Sequence, residues 1–104
     1  MDETWEAAAD KAWMEDVREA IAEAGEKPTA DAMIAAFKRV YKNPAEGVPY
    51  SSREGGYQYT AGGPYDPRDE LCDMFPDADQ DKLDAAVAHL YYETGDEWVR
   101  TCDY

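Results

Sequence analysis

The apolar residues near the start of the chain recur at steps of three and four positions, which is the spacing of one face of an α-helix. The stripe consists of Trp5, Ala9, Ala12, Trp13, Val17, Ala20, Ile21 and Ala24. A helix with such a stripe needs a second element to cover it, so the chain is constrained to a fold of packed helices. Gly25 follows the stripe, where a left-handed glycine commonly ends a helix. We therefore expect a first helix over residues 3–24.

A second helix is predicted over residues 29–42. Thr29 follows Pro28 and is a suitable N-cap residue, and Asn43–Pro44 ends the helical pattern. The apolar positions of this segment again keep helical spacing. The expected buried stripe is Met33, Ile34, Phe37, Val40 and Tyr41.

Two more helices are predicted in the second half of the chain, over residues 67–75 and 79–93. Asp66–Pro67 supplies a cap and a proline at the first helical position, and Pro76 stops the third helix. Gly95 follows the fourth. The residues expected to face inward are Leu71, Met74, Phe75, Leu83, Ala86, Val87, Leu90 and Tyr91.

Residues 44–66 differ from these segments, because their glycines and prolines exclude a helix and tyrosines recur among them. Tyr57–Thr60 has the character of half a hairpin, but the sequence offers no convincing partner strand. The tail, residues 96–104, is expected to fold back through Trp98 and Val99. The fold predicted is therefore one small, mainly α domain over residues 1–104, with four or five helices, a long Tyr/Gly-rich loop and at most a small hairpin.

The formal net charge of −14 is spread unevenly: −7 over residues 1–26, +2 over 27–60 and −9 over 61–104. Such a field repels nucleic acid and membrane phosphates and attracts basic protein surfaces. No apolar run reaches the roughly 18 residues of a membrane span. The first residues are also unlike a signal peptide. We expect a cytoplasmic protein that binds neither nucleic acid directly nor a membrane.

No motif favours catalysis, a metal or a cofactor. Asp77, Asp79 and Asp81 open like a calcium loop, but Lys82 replaces the turn glycine and Ala88 the bidentate glutamate. A run of aspartates at a helix N-terminus explains them, because the helix dipole favours negative charge there.

The remaining reactive side chains do not form a site by pattern either. His89, the single histidine, has no partner for zinc and is expected to be partly buried beside Tyr91 or Tyr92. Cys72 and Cys102 lie among aspartates, which oppose thiol reactivity, and whether they pair is open. We therefore predict a protein that is not an enzyme and has no cofactor.

The loop Val48–Tyr57 reads VPYSSREGGY and resembles a string in the N-terminal domain that precedes RES toxin domains, the HEPN/RES N-terminal domain. The segments Tyr65–Leu71 and Trp98–Tyr104 are similar to the later parts of that domain, so the resemblance covers residues 41–104. Residues 1–104 contain no RES domain. The HEPN ribonuclease pattern of an arginine a few residues before a histidine is also missing, since the nearest arginine upstream of His89 is Arg68. The resemblance implies a non-catalytic module from bacterial toxin or phage conflict, which would bind through residues 50–59, with Tyr50, Arg53 and Tyr57 as contacts.

A second likeness, of style, is to small acidic phage proteins that inhibit restriction or CRISPR systems by mimicking the charge of DNA. Carboxylates on helices can stand in for phosphates. The charge of −14 also exceeds the roughly 2–8 that solubility requires of a small domain. The predicted contact residues are Asp69, Glu70, Asp73, Asp77, Asp79, Asp81 and Asp84, with Glu15, Asp16, Glu19 and Glu23 as a second row.

Two functions thus follow from the sequence. The favoured one is a phage or bacterial inhibitor that binds a basic, nucleic-acid-handling defence protein through acidic helices, as anti-CRISPR proteins do. The alternative is an accessory module that binds through the loop 50–59, with the acidic helices serving only solubility. Enzymatic activity ranks third.

Overall fold

The computed structural model describes residues 5–43, 50–51, 56–57, 64–95 and 97–101. Side chains are described from residue 11 onward, and the backbone alone at 50–51 and 56–57. This part of the chain is mainly helical, with α1 (Trp5–Ala24), α2 (Ala30–Val40), α3 (Pro67–Met74) and α4 (Gln80–Thr94). The fold class predicted from the periodicity is confirmed. None of the described helices is both long and apolar enough to cross a bilayer.

The helix ends follow the local signals. Thr29 Oγ1 accepts a hydrogen bond from the backbone N–H of Ala32, and Asp66 accepts one from Arg68. These side chains satisfy N–H groups that have no partner within the helix. At the other end, Gly25 and Gly95 take positive φ values of 87° and 66°, which glycine adopts without steric cost.

Four short strands join the helices. Strands β1 (Tyr41–Lys42) and β4 (Val99–Arg100) pair antiparallel, and Tyr65 forms an isolated bridge to Trp98. The tail therefore folds back at Trp98 and Val99, as predicted. The second helix was predicted too long, because Tyr41 leaves the helix with an extended backbone and pairs with Arg100.

A hairpin lies within the predicted loop. Strand β2 (Tyr50–Ser51) pairs antiparallel with β3 (Gly56–Tyr57), in the register Tyr50 to Tyr57 and Ser51 to Gly56. The small hairpin that the sequence left open is therefore present, and the partner of Tyr57 lies at Tyr50. Two-residue strands carry too little alternation to be seen in a sequence.

Aromatic rings fill much of the core where the helices meet the β1–β4 pair. The ring of Tyr41 stacks on that of Phe37 at 4.6 Å and takes the edge of Trp13 at 5.5 Å. Phe37 also meets Trp98 edge to face at 5.0 Å. The indole N–H of Trp13 donates to the carbonyl of Val40 at 2.7 Å, which ties α1 to the end of α2. Large rings compensate for the scarcity of aliphatic residues.

The inward faces are largely as predicted, with some differences. Ala12 and Tyr91 are exposed, Tyr91 to 38%. Ile34 is half-buried and packs against the core, as do Val17, Ile21 and Ala24 of α1. The hydroxyl of Tyr91 donates to the capping carboxylate of Asp66, so Tyr91 stays at the surface, where it bridges α4 and the start of α3. Trp5 and Ala9 have side chains outside the described set.

Candidate functional site

Two of the predicted contact carboxylates have structural roles. Glu70 is half-buried and accepts a hydrogen bond from the hydroxyl of Tyr41 at 2.7 Å. Asp79 caps α4 by accepting from the backbone N–H groups of Asp81 and Lys82. A carboxylate that already accepts hydrogen bonds within the fold has fewer lone pairs left for a partner, and its orientation is fixed by those bonds. Glu70 and Asp79 are therefore poor candidates for a binding surface.

Asp84 is also compensated. Its Oδ1 accepts from Gln80 at 2.9 Å and from Arg68 at 3.1 Å. These two hydrogen bonds, together with the positive charge of Arg68, lower the pKa of Asp84 below its usual value. The negative charge of Asp84 is thus partly neutralised where it stands.

The carboxylates of α1 face a cation from α2. Arg39 forms ion pairs with Glu19 at 3.0 Å and Glu23 at 2.8 Å, and the hydrogen bond to Glu23 is the main cause of a raised Arg39 pKa. Asp16 adds a smaller favourable charge to the same arginine. Glu15 is exposed and forms no ion pair within the described part of the chain. Arg39 therefore compensates part of the negative charge of the predicted second row, and Glu15 has no such partner.

Four of the predicted contact aspartates in the α3–α4 segment have no such contact, and we call them the acidic ridge: Asp69, Asp73, Asp77 and Asp81. All four are exposed, and none forms a side-chain ion pair or hydrogen bond with another described residue. The ridge follows α3, the turn after it and the first turn of α4. Asp69 and Asp73 are four positions apart and so lie on one face of α3.

The loop contacts predicted from the family resemblance are only partly described. The backbone of Tyr50 lies directly opposite that of Tyr57 in the β2–β3 hairpin. Arg53 belongs to the segment that connects these two strands and lies outside the described residues. The hairpin brings the two tyrosine positions together, although they are seven residues apart in the sequence.

A polar cleft of about 460 Å³ lies between the C-terminal ends of α2 and α4, and sequence reasoning did not find it. It is lined by Lys38, Lys42, Asn43, Glu93, Thr94 and Trp98, with Tyr41 also contributing. Lys38 pairs with Glu93 at 2.6 Å across 55 positions of sequence. That hydrogen bond is the main cause of a lowered Glu93 pKa. The sequence signal for this cleft was the net charge of +2 over residues 27–60. That signal does not indicate which residues of α4 line the cleft.

The other reactive side chains lie at the surface. The His89 side chain is 49% exposed and lies 3.6 Å from Glu93, so the predicted partial burial beside a tyrosine is wrong. His89 follows the exposed side of α4, where an ion pair can form one turn along the helix. Cys72 is exposed, and Cys102 is outside the described residues. Within the described ranges, no three or more histidine, cysteine or acidic side chains cluster as metal ligands would.

Comparison with protein-family models, curated proteins and solved structures gives no match to this chain. The resemblance to the domain that precedes RES toxins therefore stays a prediction.

Proposed function

We propose that this chain is a non-enzymatic interaction protein that binds the basic surface of a nucleic-acid-handling protein, with the acidic ridge in place of nucleic-acid phosphates. The observation that carries this proposal is the difference between carboxylates that form contacts within the described structure and those that do not. Most of the other predicted contact acids form ion pairs with arginines, accept hydrogen bonds from backbone N–H groups at a helix N-terminus, or accept one from the Tyr41 hydroxyl. The ridge aspartates alone among the predicted α3–α4 contacts keep exposed, uncompensated charge in the described structure.

The spacing of the ridge supports charge mimicry. Four residues of helix advance about 6 Å along the axis, which separates Asp69 from Asp73. Successive phosphates of one DNA strand are about 3.4 Å apart along the duplex axis, so two phosphate steps cover a similar distance. A groove of lysines and arginines that follows a nucleic-acid backbone would therefore meet these carboxylates at a compatible interval. Such a complex should weaken as salt screens the exposed charges.

A ridge variant tests this proposal: Asp69→Asn, Asp73→Asn, Asp77→Asn and Asp81→Asn together. The matched control neutralises four acids outside the predicted contact residues, Asp2→Asn, Glu26→Gln, Asp31→Asn and Glu97→Gln, and has the same net charge. Both proteins and the wild type are immobilised and exposed to bacterial lysate at low salt, then washed with high salt. Bound proteins are identified by mass spectrometry and then purified for titration.

We expect the wild type and the control to retain the same nucleic-acid-handling protein, which salt or added DNA releases. The ridge variant should lose it, by at least about tenfold in affinity if each aspartate contributes a few tenths of a kcal/mol. Circular dichroism confirms that the variants are folded. Equal binding by the ridge variant and the control would overturn the ridge as the contact surface.

The hairpin gives a specific reason to keep the second candidate, an accessory module that binds through residues 50–59. Its strand pairing brings together Tyr50 and Tyr57, two of the contacts predicted within the string that resembles the RES-associated domain. In this case Arg53→Ala with Tyr57→Ala should remove the retained protein, and the ridge variant should keep it. Retention should then resist salt, because a loop contact depends less on long-range charge.

A further inference from the structure

An apolar groove of about 330 Å³ lies between α1 and α3. The groove is left open because α1 packs most extensively on α2, and α3 on α4, so that neither of the two helices covers the other. A second hollow, of about 180 Å³, continues it toward the end of α1, and Ile21 and Met74 line both. From Met14 to Gly25 the pair of hollows follows α1 for about 16 Å, or three helical turns. We call the pair the α1–α3 groove.

The groove leaves part of the apolar face of α1 uncovered. Met14 is 44% exposed, and Val17 and Ile21 are half-buried although both belong to the stripe that the sequence predicts to be inside. These three positions are three and four residues apart, so their side chains lie along one face of the helix. A continuous apolar surface on a small protein marks an interaction site more often than an isolated exposed side chain does.

The α3 side of the groove is bordered by the acidic ridge. Asp73 lines the first hollow and Asp77 the second, and both are exposed and uncompensated. Two other charged groups of the lining are engaged, because Glu70 accepts from the Tyr41 hydroxyl and the Arg100 guanidinium lies 4.4 Å from the centre of the Trp13 ring.

This charge restricts the occupant of the groove. Lysine and arginine side chains complement Asp73 and Asp77, whereas a second copy of this chain, with its net charge of −14, is repelled. Nucleic acid is repelled in the same way and offers no apolar face to Met14 and Val17. The occupant is therefore a protein segment that is apolar on one side and basic at its edges.

The backbone of the occupant is restricted as well. Helices α1 and α3 bond their own N–H and C=O groups internally, so the walls of the groove offer side chains and no strand edge. An extended peptide would leave its backbone groups unpaired against this apolar surface, which is costly. A helix satisfies its own backbone and presents anchors at helical spacing, as amphipathic helices do in other apolar grooves.

We propose that the α1–α3 groove binds a basic amphipathic helix of the partner protein, with its apolar face against Met14, Val17 and Ile21 and its cationic side chains at Asp73 and Asp77. This inference rests on the proposed function, because the same partner contacts the acidic ridge. It adds an apolar contact to the charged one. Charge attracts basic surfaces in general, and the groove selects those that carry an apolar helix face.

The probe is a synthetic peptide of leucine and lysine, about 15 residues long, whose leucines fall on one face of a helix. A second peptide has the same composition in an order that spreads the leucines around the helix. A third has glutamate in place of every lysine. Titration of each fluorescently labelled peptide with the full chain, followed by anisotropy, measures its affinity. The first peptide should bind at least about tenfold more tightly than the other two, and equal binding of the second would overturn the proposal.

A groove variant, Met14→Gln with Val17→Thr, makes the groove polar without changing its charge. The matched control, Ala12→Gln with Ala22→Thr, introduces the same side chains at exposed positions of α1 that line neither hollow. The groove variant should bind the first peptide about tenfold more weakly, because apolar contacts are replaced by polar groups that must lose water. The control should bind as the wild type does. Equal affinities of the two variants, both folded by circular dichroism, would overturn the groove as the site.

The lysate experiment separates the failure of this inference from that of the proposed function. Loss of the retained protein by both the ridge variant and the groove variant supports the two together. Loss by the ridge variant alone overturns the groove and leaves the proposed function standing. Retention by both variants overturns both.

The methionines locate the bound peptide within the wild-type protein. Met14 and Met74 line the groove, whereas Met33 is fully buried and lines neither hollow, so it serves as an internal reference. In a sample with ¹³C-labelled methionine methyl groups, the first peptide should shift the Met14 and Met74 resonances in a saturable manner and leave that of Met33 in place. Saturable binding without a shift at Met14 would place the peptide elsewhere and overturn the proposal.

Discussion

Helices α1 and α3 both carry carboxylates four positions apart, yet the structure compensates only one of these pairs. Glu19 and Glu23 on α1 share Arg39 of α2, at 3.0 and 2.8 Å. Asp69 and Asp73 on α3 form no ion pair with any described residue. The number of carboxylates in the sequence thus does not give the negative charge that is available to a partner. How much of that charge stays uncompensated depends on the cations of the helix packed beside it.

The difference has a simple origin in where the cations lie. The basic residues of the middle of the chain, Lys38 and Arg39, are in the last turn of α2, which packs against both α1 and α4. From that position Arg39 reaches α1 and Lys38 reaches Glu93 at the end of α4. The α3–α4 turn receives no cation from α2. Arg68, the arginine of α3, is engaged with Asp84.

The largest effect is expected where a carboxylate is half-buried. Tyr41→Phe removes the 2.7 Å hydrogen bond to Glu70 and leaves that charge without its donor, which should cost about 1.5–3 kcal/mol in the free energy of unfolding. Asp69→Asn, next to Glu70 but on the exposed side of α3, should change it by less than about 0.5 kcal/mol. Urea unfolding of the two variants measures the contrast. Equal values would show that burial does not distinguish Glu70 from the ridge.

The substitution Tyr41→Phe should also change how the stability of the fold depends on pH. Burial, with the Glu70 contact second, raises the pKa of Tyr41 above its ordinary value of 10.0. An acid whose folded pKa is raised contributes stability that is present below the unfolded pKa and lost as the pH climbs toward the folded one. The wild type should therefore lose stability above about pH 10, more steeply than Tyr41→Phe. Parallel curves for the two proteins would contradict the raised pKa.

A smaller effect is expected from reversing charge on the two helices. Glu19→Lys with Glu23→Lys places two lysines beside Arg39 and should lower the melting temperature. Asp73→Lys with Asp77→Lys makes the same change in net charge at the ridge. There it should leave the melting temperature unchanged or raise it, because it relieves repulsion among acids. Thermal unfolding at low salt gives both values, and the comparison fails if both pairs destabilise equally.

The smallest effect is expected at Arg68, the cation within the acidic half of the chain. Arg68→Gln removes the ion pair that helps to lower the pKa of Asp84. A depressed carboxyl pKa contributes stability that is present above its ordinary value near 3.8 and is lost as the pH falls through the lower folded value. The variant should therefore be slightly less stable than the wild type at pH 7 and equal to it near pH 2. A difference that persists at pH 2 would point to packing of the arginine stem instead.

The helices were predictable because their signals are local. Thr29, Asp66 and Asp79 are caps that act within three residues of their own position, and Gly25 and Gly95 end helices by their own conformation. The strands were not, because Tyr41–Lys42 finds its partner only in the folded chain. The same holds for the candidate sites. The sequence identifies the acidic residues. It does not show that Glu19, Glu23 and Glu70 form contacts within the fold, because those contacts are made between elements.

The antiparallel pairing of β1 with β4 also affects the order in which the elements fold. It joins Tyr41–Lys42 to Val99–Arg100, with the hairpin, α3 and α4 all lying between the two strands. Bringing the two ends of so long a segment together costs conformational entropy, and this cost comes before the β1–β4 contacts contribute any stability. The α1–α2 pair is joined by a short turn and bears no such cost. We therefore expect this helical pair to form early and the β1–β4 pair to form last. The folding rate should then be limited by the step in which the residues around position 100 pair with β1.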